Sequence, residues 1–215
     1  ACTGVDDLLR FAASQLRDDY LRSATRQAAM PPQAPAACGI ESMGLGWMLL
    51  SSGKTTRAWH GGATNGQVSS LTLVPSRGFA MAVLTNANTG GAFAAEVTRR
   101  GLRDFLGAQD EPRNEVRLSQ GDLRSYSGRF DSQLWTRELR LTREGLIMRT
   151  ITKGGFPTQD APPLPPPPPA RLAFYMRDRF FMAGAQGPLT EGEFLRDSKG
   201  RIAWLRVAAR LHAPA

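Results

Sequence analysis

The chain is predicted to be α+β, with an antiparallel sheet flanked by helices followed by a small all-β sheet or barrel. Three observations carry that prediction. Two β-branched, apolar runs, Val68 to Val74 and Phe79 to Leu84, flank the turn-forming cluster Pro75-Ser-Arg-Gly78 and read as an antiparallel hairpin. A helical apolar period lies on either side of it: Val5, Leu8, Leu9, Ala12 and Leu16 before, and Phe93, Val97, Leu102, Phe105 and Leu106 after. Beyond Leu118 that period gives way to short strand-like runs at regular spacing.

Taken in order, Thr3-x-x-Asp6 has the form of a capping box with aspartate in place of glutamate, and predicts a first helix from about Gly4 to Arg17. From Ser23 to Ser42 the chain is rich in alanine and proline. Met30-Pro31-Pro32 and Ala34-Pro35 preclude a long helix, so a loop with one short helical turn is expected. Gly44 to Leu50 then predicts a strand, and Ser51 to Thr56 a polar turn leading into Trp59-His60. Gly61, Gly62 and Gly66 open the first hairpin strand. Glycines contribute no packing there, so they mark either a tight bend with a bulge or a place where something must approach the backbone closely.

After Asn86 the second helix is expected to end at Gly107. Gly101 inside it costs about 1 kcal/mol relative to alanine, which close packing on the sheet would account for. Residues 109–118 are polar and contain Pro112, and read as a linker between residues 1–108 and a small antiparallel β domain over 119–215. The strand-like runs of that domain are Leu134 to Thr142, Leu146 to Ile151, Leu172 to Met176, Arg179 to Met182, Glu193 to Arg196 and Ile202 to Ala208. Pro162 to Pro169 is nearly all proline and must be extended. It reads as a stiff surface loop, with a docking ligand for an aromatic groove as the alternative.

At 215 residues and 41% hydrophobic content the chain can bury a real core, and no run of about 20 apolar residues predicts a membrane span. The net charge of +8 raises the question of nucleic acid. Lysine occurs only at Lys54, Lys153 and Lys199, however, and the arginines that make up the rest of the basic residues are scattered among acids with no aromatic platform. Nucleic-acid binding is therefore not expected. Cys2 and Cys38 make neither a disulfide framework nor a zinc site, and sequence leaves their pairing open. No metal or organic cofactor is implied. His212 reads as a solvated residue without a role.

One stretch points to chemistry. His60-Gly61-Gly62-Ala63-Thr64-Asn65-Gly66, a strand ending in Val74-Pro75, and Gly78-Phe-Ala-Met-Ala-Val-Leu-Thr-Asn86 resemble the third active-site motif and following hairpin of the class C β-lactamase and penicillin-binding-protein superfamily of serine hydrolases. Thr3, Asp6 or Asp7, Leu8 and Phe11, the run Gly44-Leu-Gly-Trp47 and the helix after the hairpin extend the likeness over roughly the first half of the chain. Leu123-x-x-Tyr126-x-Gly128-x-Phe130 resembles the opening of the lipocalin-like accessory domain of some relatives.

The resemblance implies an acyl-enzyme mechanism on an ester, a D-amino-acid peptide or a β-lactam. The substrate would lie along a strand edge kept bare by Gly61 and Gly62, with Thr64 and Asn65 alongside. Ala63 would supply one backbone N–H of an oxyanion hole. His60 takes the place of the family's motif-three lysine, where it would orient the substrate or assist proton transfer, and it favours an esterase or peptidase over an efficient β-lactamase.

The rest of the family's machinery is not matched. Tyr20, Tyr126 and Tyr175 are followed two residues on by Arg22, Gly128 and Arg177, so none makes a Tyr-x-Asn motif. Ser51-x-x-Lys54 has the form of the nucleophile motif but lies between two expected strands rather than at the start of a helix. Gly53-Lys54-Thr55 resembles a phosphate loop, but Met48 stands where that loop needs glycine. The expectation is a carboxy-terminal portion of a longer hydrolase, inactive alone, whose partner is the amino-terminal portion carrying the nucleophile. A non-catalytic binding or structural module that kept the fold is the alternative. The resemblance favours a periplasmic or secreted location.

Overall fold

The computed structural model describes residues 3–17, 22–36, 39–64, 66–110, 114–155, 158–163, 165–183 and 190–215. Cys2, Cys38, Asn65, Pro112 and Leu164 of the proline run lie outside them. The chain forms two compact units, Ala1–Pro112 with Gln186–Pro188, and Arg113–Ala185 with Leu189–Ala215.

The first unit is a six-stranded antiparallel sheet in chain order: β1 (Ala34–Pro35), β2 (Ser42–Met43), β3 (Met48–Ser52), β4 (Thr55–Thr64), β5 (Gln67–Val74) and β6 (Phe79–Thr85). β5 and β6 are the expected hairpin, joined through a short 3-10 turn at Pro75–Arg77. The expected strand at Gly44 begins instead at Met48. Gly44 to Trp47 folds into a loop, with Gly44 N–H donating to Trp47 O at 2.7 Å and Leu45 N–H to Ala29 O at 2.9 Å. The polar turn narrows to Gly53-Lys54, because Ser51 and Ser52 pair with Thr56 and Thr55.

Helix α1 (Val5–Leu16) and helix α3 (Gly90–Leu106) pack on the sheet. The box expected at Thr3 and Asp6 does not form: the N-cap is Gly4, which has no side-chain acceptor, and only the reverse bond is made, Gly4 N–H donating to the Asp7 carboxylate at 3.5 Å. Ala12 is fully buried and joins Trp47, Leu49, Ala58, Leu71 and Leu73 in one apolar cluster. On the other face of β5, Val74 meets Leu102 and Ala108. A Cβ on Gly101 would lie 2.6 Å from Met81 Sδ, so this glycine marks close approach of α3 to β6. The proline-rich segment holds more helix than its composition predicts: α2 (Ser23–Ala29) has seven residues and stops at Met30, before the prolines.

The second unit opens with α4 (Gln120–Ser125), capped by Ser119 Oγ, which accepts from Asp122 N–H at 3.0 Å. Eight antiparallel strands follow: β7 (Gly128–Asp131), β8 (Trp135–Thr142), β9 (Gly145–Thr152), β10 (Ala170–Met176), β11 (Arg179–Met182), β12 (Glu191–Arg196), β13 (Ile202–Val207) and β14 (Arg210–Pro214). Each pairs with the next, and β14 pairs back onto β7, closing a barrel. Six of these strands fall on the expected runs; β7 and β14, which close the ring, were not expected.

The barrel is packed rather than hollow. Tyr126, Phe130, Phe174, Phe180 and Phe194 fill it with aliphatic neighbours, and ring centroids stand 4.6 to 6.3 Å apart. Tyr126 O–H donates to Asp178 at 3.0 Å, and Arg196 donates to the same carboxylate from Nε and Nη2. His212 corrects the expectation of a solvated histidine. It is fully buried inside the ring, where β14 turns alternate side chains inward.

Candidate functional site

β4 is twice as long as β3, and that difference leaves part of one β4 edge bare. The β3 ladder covers only Thr55 to Trp59, whereas β5 pairs with β4 from Ala58 to Thr64. Past Trp59, among the described residues, β4 therefore has a strand on one side only. His60, Gly62, Ala63 and Thr64 are exposed and Gly61 is half-buried. An unpaired strand edge of this kind presents free N–H and C=O groups to an extended ligand.

A cleft of about 650 Å³ adjoins that edge. His60, Gly61 and Gly62 line it from the sheet, Phe11 from α1, and Leu45 and Trp47 from the loop before β3. The Phe11 and Trp47 rings stack with centroids 6.4 Å apart, giving the cleft an aromatic wall. Ala63 and Thr64 continue the exposed edge beyond the lining residues, and Asn65 lies outside the described residues.

The two lining glycines are bare for local reasons. Trp59 and Gly61 project to the same face of β4, and the Trp59 indole lies over Gly61. A Cβ there would stand 2.6 Å from Trp59 Cζ2. The indole is fixed by its Nε1–H, which donates to Ser70 Oγ at 2.8 Å. At Gly62 a Cβ would stand 2.9 Å from Ser69 Oγ. Ser69 and Ser70 also line the cleft, and sequence reasoning passed over them. The Trp-x-Gly spacing in β4, read at the strand period of two, is the signal that would have found this packing.

The base of β4 is anchored by a charge network. Arg57 donates to Asp110 at 3.2 Å, and Ser52 Oγ donates to the same carboxylate at 2.5 Å. Burial pushes the Arg57 guanidinium below its usual range, partly offset by Asp110 and Glu41.

None of the other sequence candidates is among the residues that line the cleft. Ser51 lies in β3 and donates to Glu41 at 2.8 Å, so Ser51-x-x-Lys54 lacks the helical start a nucleophile motif needs. The Tyr126 hydroxyl is bound to Asp178, and that of Tyr175 to Glu191. Tyr20 lies outside the described residues. Among the described residues, no cluster of three or more histidine, cysteine or acidic side chains is placed to hold a metal, and no helix is long and apolar enough to cross a membrane.

Comparison with known proteins gives one family and a set of similar folds. Residues 2–103 match the family model Beta-lactamase. No curated protein sequence matches the chain. Among solved structures it is similar to the crystal structure of SurE with D-Leu, at 20% identity and TM-score 0.65, over 99% of this chain and 50% of that one. It is similar to the crystal structure of SurE at 21% identity and TM-score 0.61, over 99% and 48%. The octameric penicillin-binding protein homologue from Pyrococcus abyssi matches at 14% identity and TM-score 0.48, over 98% and 46%. The chain thus spans about half the length of these structures.

Proposed function

We propose that residues 2–103, which match the family model Beta-lactamase, belong to the β-lactamase and penicillin-binding-protein superfamily of serine hydrolases and form the substrate-binding wall of an acyl-transfer site. The observation that carries this reading is the free edge of β4 past Trp59, exposed beside a cleft lined by His60, Gly61 and Gly62. An ester, D-amino-acid peptide or lactam would lie against that edge as an added strand. The nucleophilic serine comes from a portion of the protein outside these 215 residues. Its own N–H and that of Ala63 hold the developing oxyanion, and His60 orients the substrate or relays its proton.

The second unit serves as an accessory domain of lipocalin-like form. Its closed eight-stranded meander supports that assignment, while its packed aromatic interior gives it a structural role rather than that of a lipid carrier. The competing reading is a non-catalytic module that kept the fold. It draws on one observation, that no described serine or tyrosine sits at the cleft in a nucleophile or relay arrangement.

The test uses the protein that includes the nucleophile-bearing portion, treated with a p-nitrophenyl phosphonate that loses p-nitrophenolate and leaves a phosphonylated serine. Amide exchange at Gly62, Ala63 and Thr64 should slow on labelling. Stoichiometric labelling with unchanged exchange there would remove β4 from the site, and absence of labelling would favour the non-catalytic reading.

A further inference from the structure

The barrel contains a buried guanidinium with no acidic partner among the described residues. Arg137 and Leu139 alternate inward along β8, and Arg137 is only 8% exposed. Its Nη1 donates to Thr150 Oγ1 of β9, and its Nε approaches His212 Nε2 of β14 at 3.5 Å. His212 Nδ1 faces the carbonyls of Arg210, at 3.1 Å, and Leu205, at 3.3 Å. A proton on Nδ1 leaves Nε2 free to accept from Arg137. These partners satisfy hydrogen bonds but bring no negative charge.

A second cation shares the Trp135 ring with the first. The Arg210 guanidinium lies 5.1 Å from the centroid of the Trp135 indole, and that of Arg137 lies 5.6 Å from it. Burial, then the Arg137 charge, holds the His212 imidazole below its usual range, against the Arg210 and Leu205 carbonyls that favour its proton. The nearest acids in sequence belong to the outer wall. Glu138, one residue on from Arg137, pairs with Arg129 and Arg140. The Asp131 carboxylate is held by Thr136 and Lys153. Among the described residues neither Arg137 nor Arg210 has an ion pair.

Burying a charge without a counter-charge is costly, and the guanidinium fork fits an oxyanion bidentately. Arg137 Nη2 has no hydrogen-bond partner among the described residues, and the residue keeps 8% of its surface exposed. We propose that this end of the barrel, where the β7–β8 and β13–β14 turns lie, binds a small oxyanion on the Arg137 guanidinium, with Arg210 and the Trp135 indole at the same end. Carboxylate and phosphate groups share the required chemistry.

The experiment titrates the full chain with acetate or phosphate at constant ionic strength set with chloride, following the thermal midpoint and the Trp135 indole N–H and Arg137 Nε–H resonances. One or both anions should raise the midpoint saturably and move both resonances. Arg210→Gln, at an exposed position that leaves the fold intact, should weaken the binding about tenfold or more. Arg137→Met should abolish it where that variant folds. Saturation by acetate alone assigns a carboxylate ligand, and by phosphate alone a phosphate ligand. If neither anion moves the resonances, or the parent chain and Arg210→Gln respond alike, the proposal is overturned and Arg137 is held by His212, Thr150 and the indole alone.

Discussion

The indole of Trp59 lies across Gly61, two residues further along β4 on the same face, and is locked there by its hydrogen bond to Ser70. This pairing keeps the strand narrow where its edge becomes free. It also couples the cleft to the sheet face, because any side chain at Gly61 must first displace the ring.

Gly61→Ala is therefore expected to destabilise the first unit by about 1–3 kcal/mol through overpacking. Trp59→Ala should remove most of that penalty, giving a coupling of about 1 kcal/mol or more in a double-mutant cycle followed by urea unfolding. Strictly additive effects would show that the indole does not constrain Gly61.

The second unit should carry an acid-sensitive tie at Asp178. Burial pushes this carboxyl up, but hydrogen bonds from Arg196 and Tyr126 outweigh it and hold the group below its usual value. A carboxylate whose folded pKa is depressed stabilises the fold fully above its unfolded value, about 3.9, and loses that contribution as pH falls through the folded value. Asp178→Asn keeps a residue that tolerates the positive φ of 65° at this turn. It should cost about 1.5–3 kcal/mol at pH 7. Measured by urea unfolding from pH 7 to pH 2, the gap between the two proteins should close below about pH 4. A gap independent of pH would remove the ionised Asp178 from the account.

Much of the first unit was legible because its signals are local. The hairpin follows from two β-branched runs around Pro75–Gly78, and α3 from its apolar period and the glycine that ends it. Local signals also misplaced β3, since Gly44 to Trp47 looks apolar enough for a strand but folds back on Trp47 O and Ala29 O. The exposure of β4 was harder to read, because it arises from a difference in length between two neighbouring strands.

In the barrel, β7 has only four residues, and β14 mixes arginine, histidine and proline, so neither shows strand patterning. Their pairing is a property of ring closure. The same closure brings His212 to Arg137, 75 residues away, and buries a histidine that sequence alone presented as solvated.

The central claim is that the free edge of β4 serves an acyl-transfer site, and His60 is its most direct test. His60 is exposed, so His60→Ala should leave the thermal midpoint unchanged. In the protein that includes the nucleophile-bearing portion, kcat/KM for p-nitrophenyl esters should fall by about 10²-fold or more. Kinetics indistinguishable from the parent protein would contradict the claim.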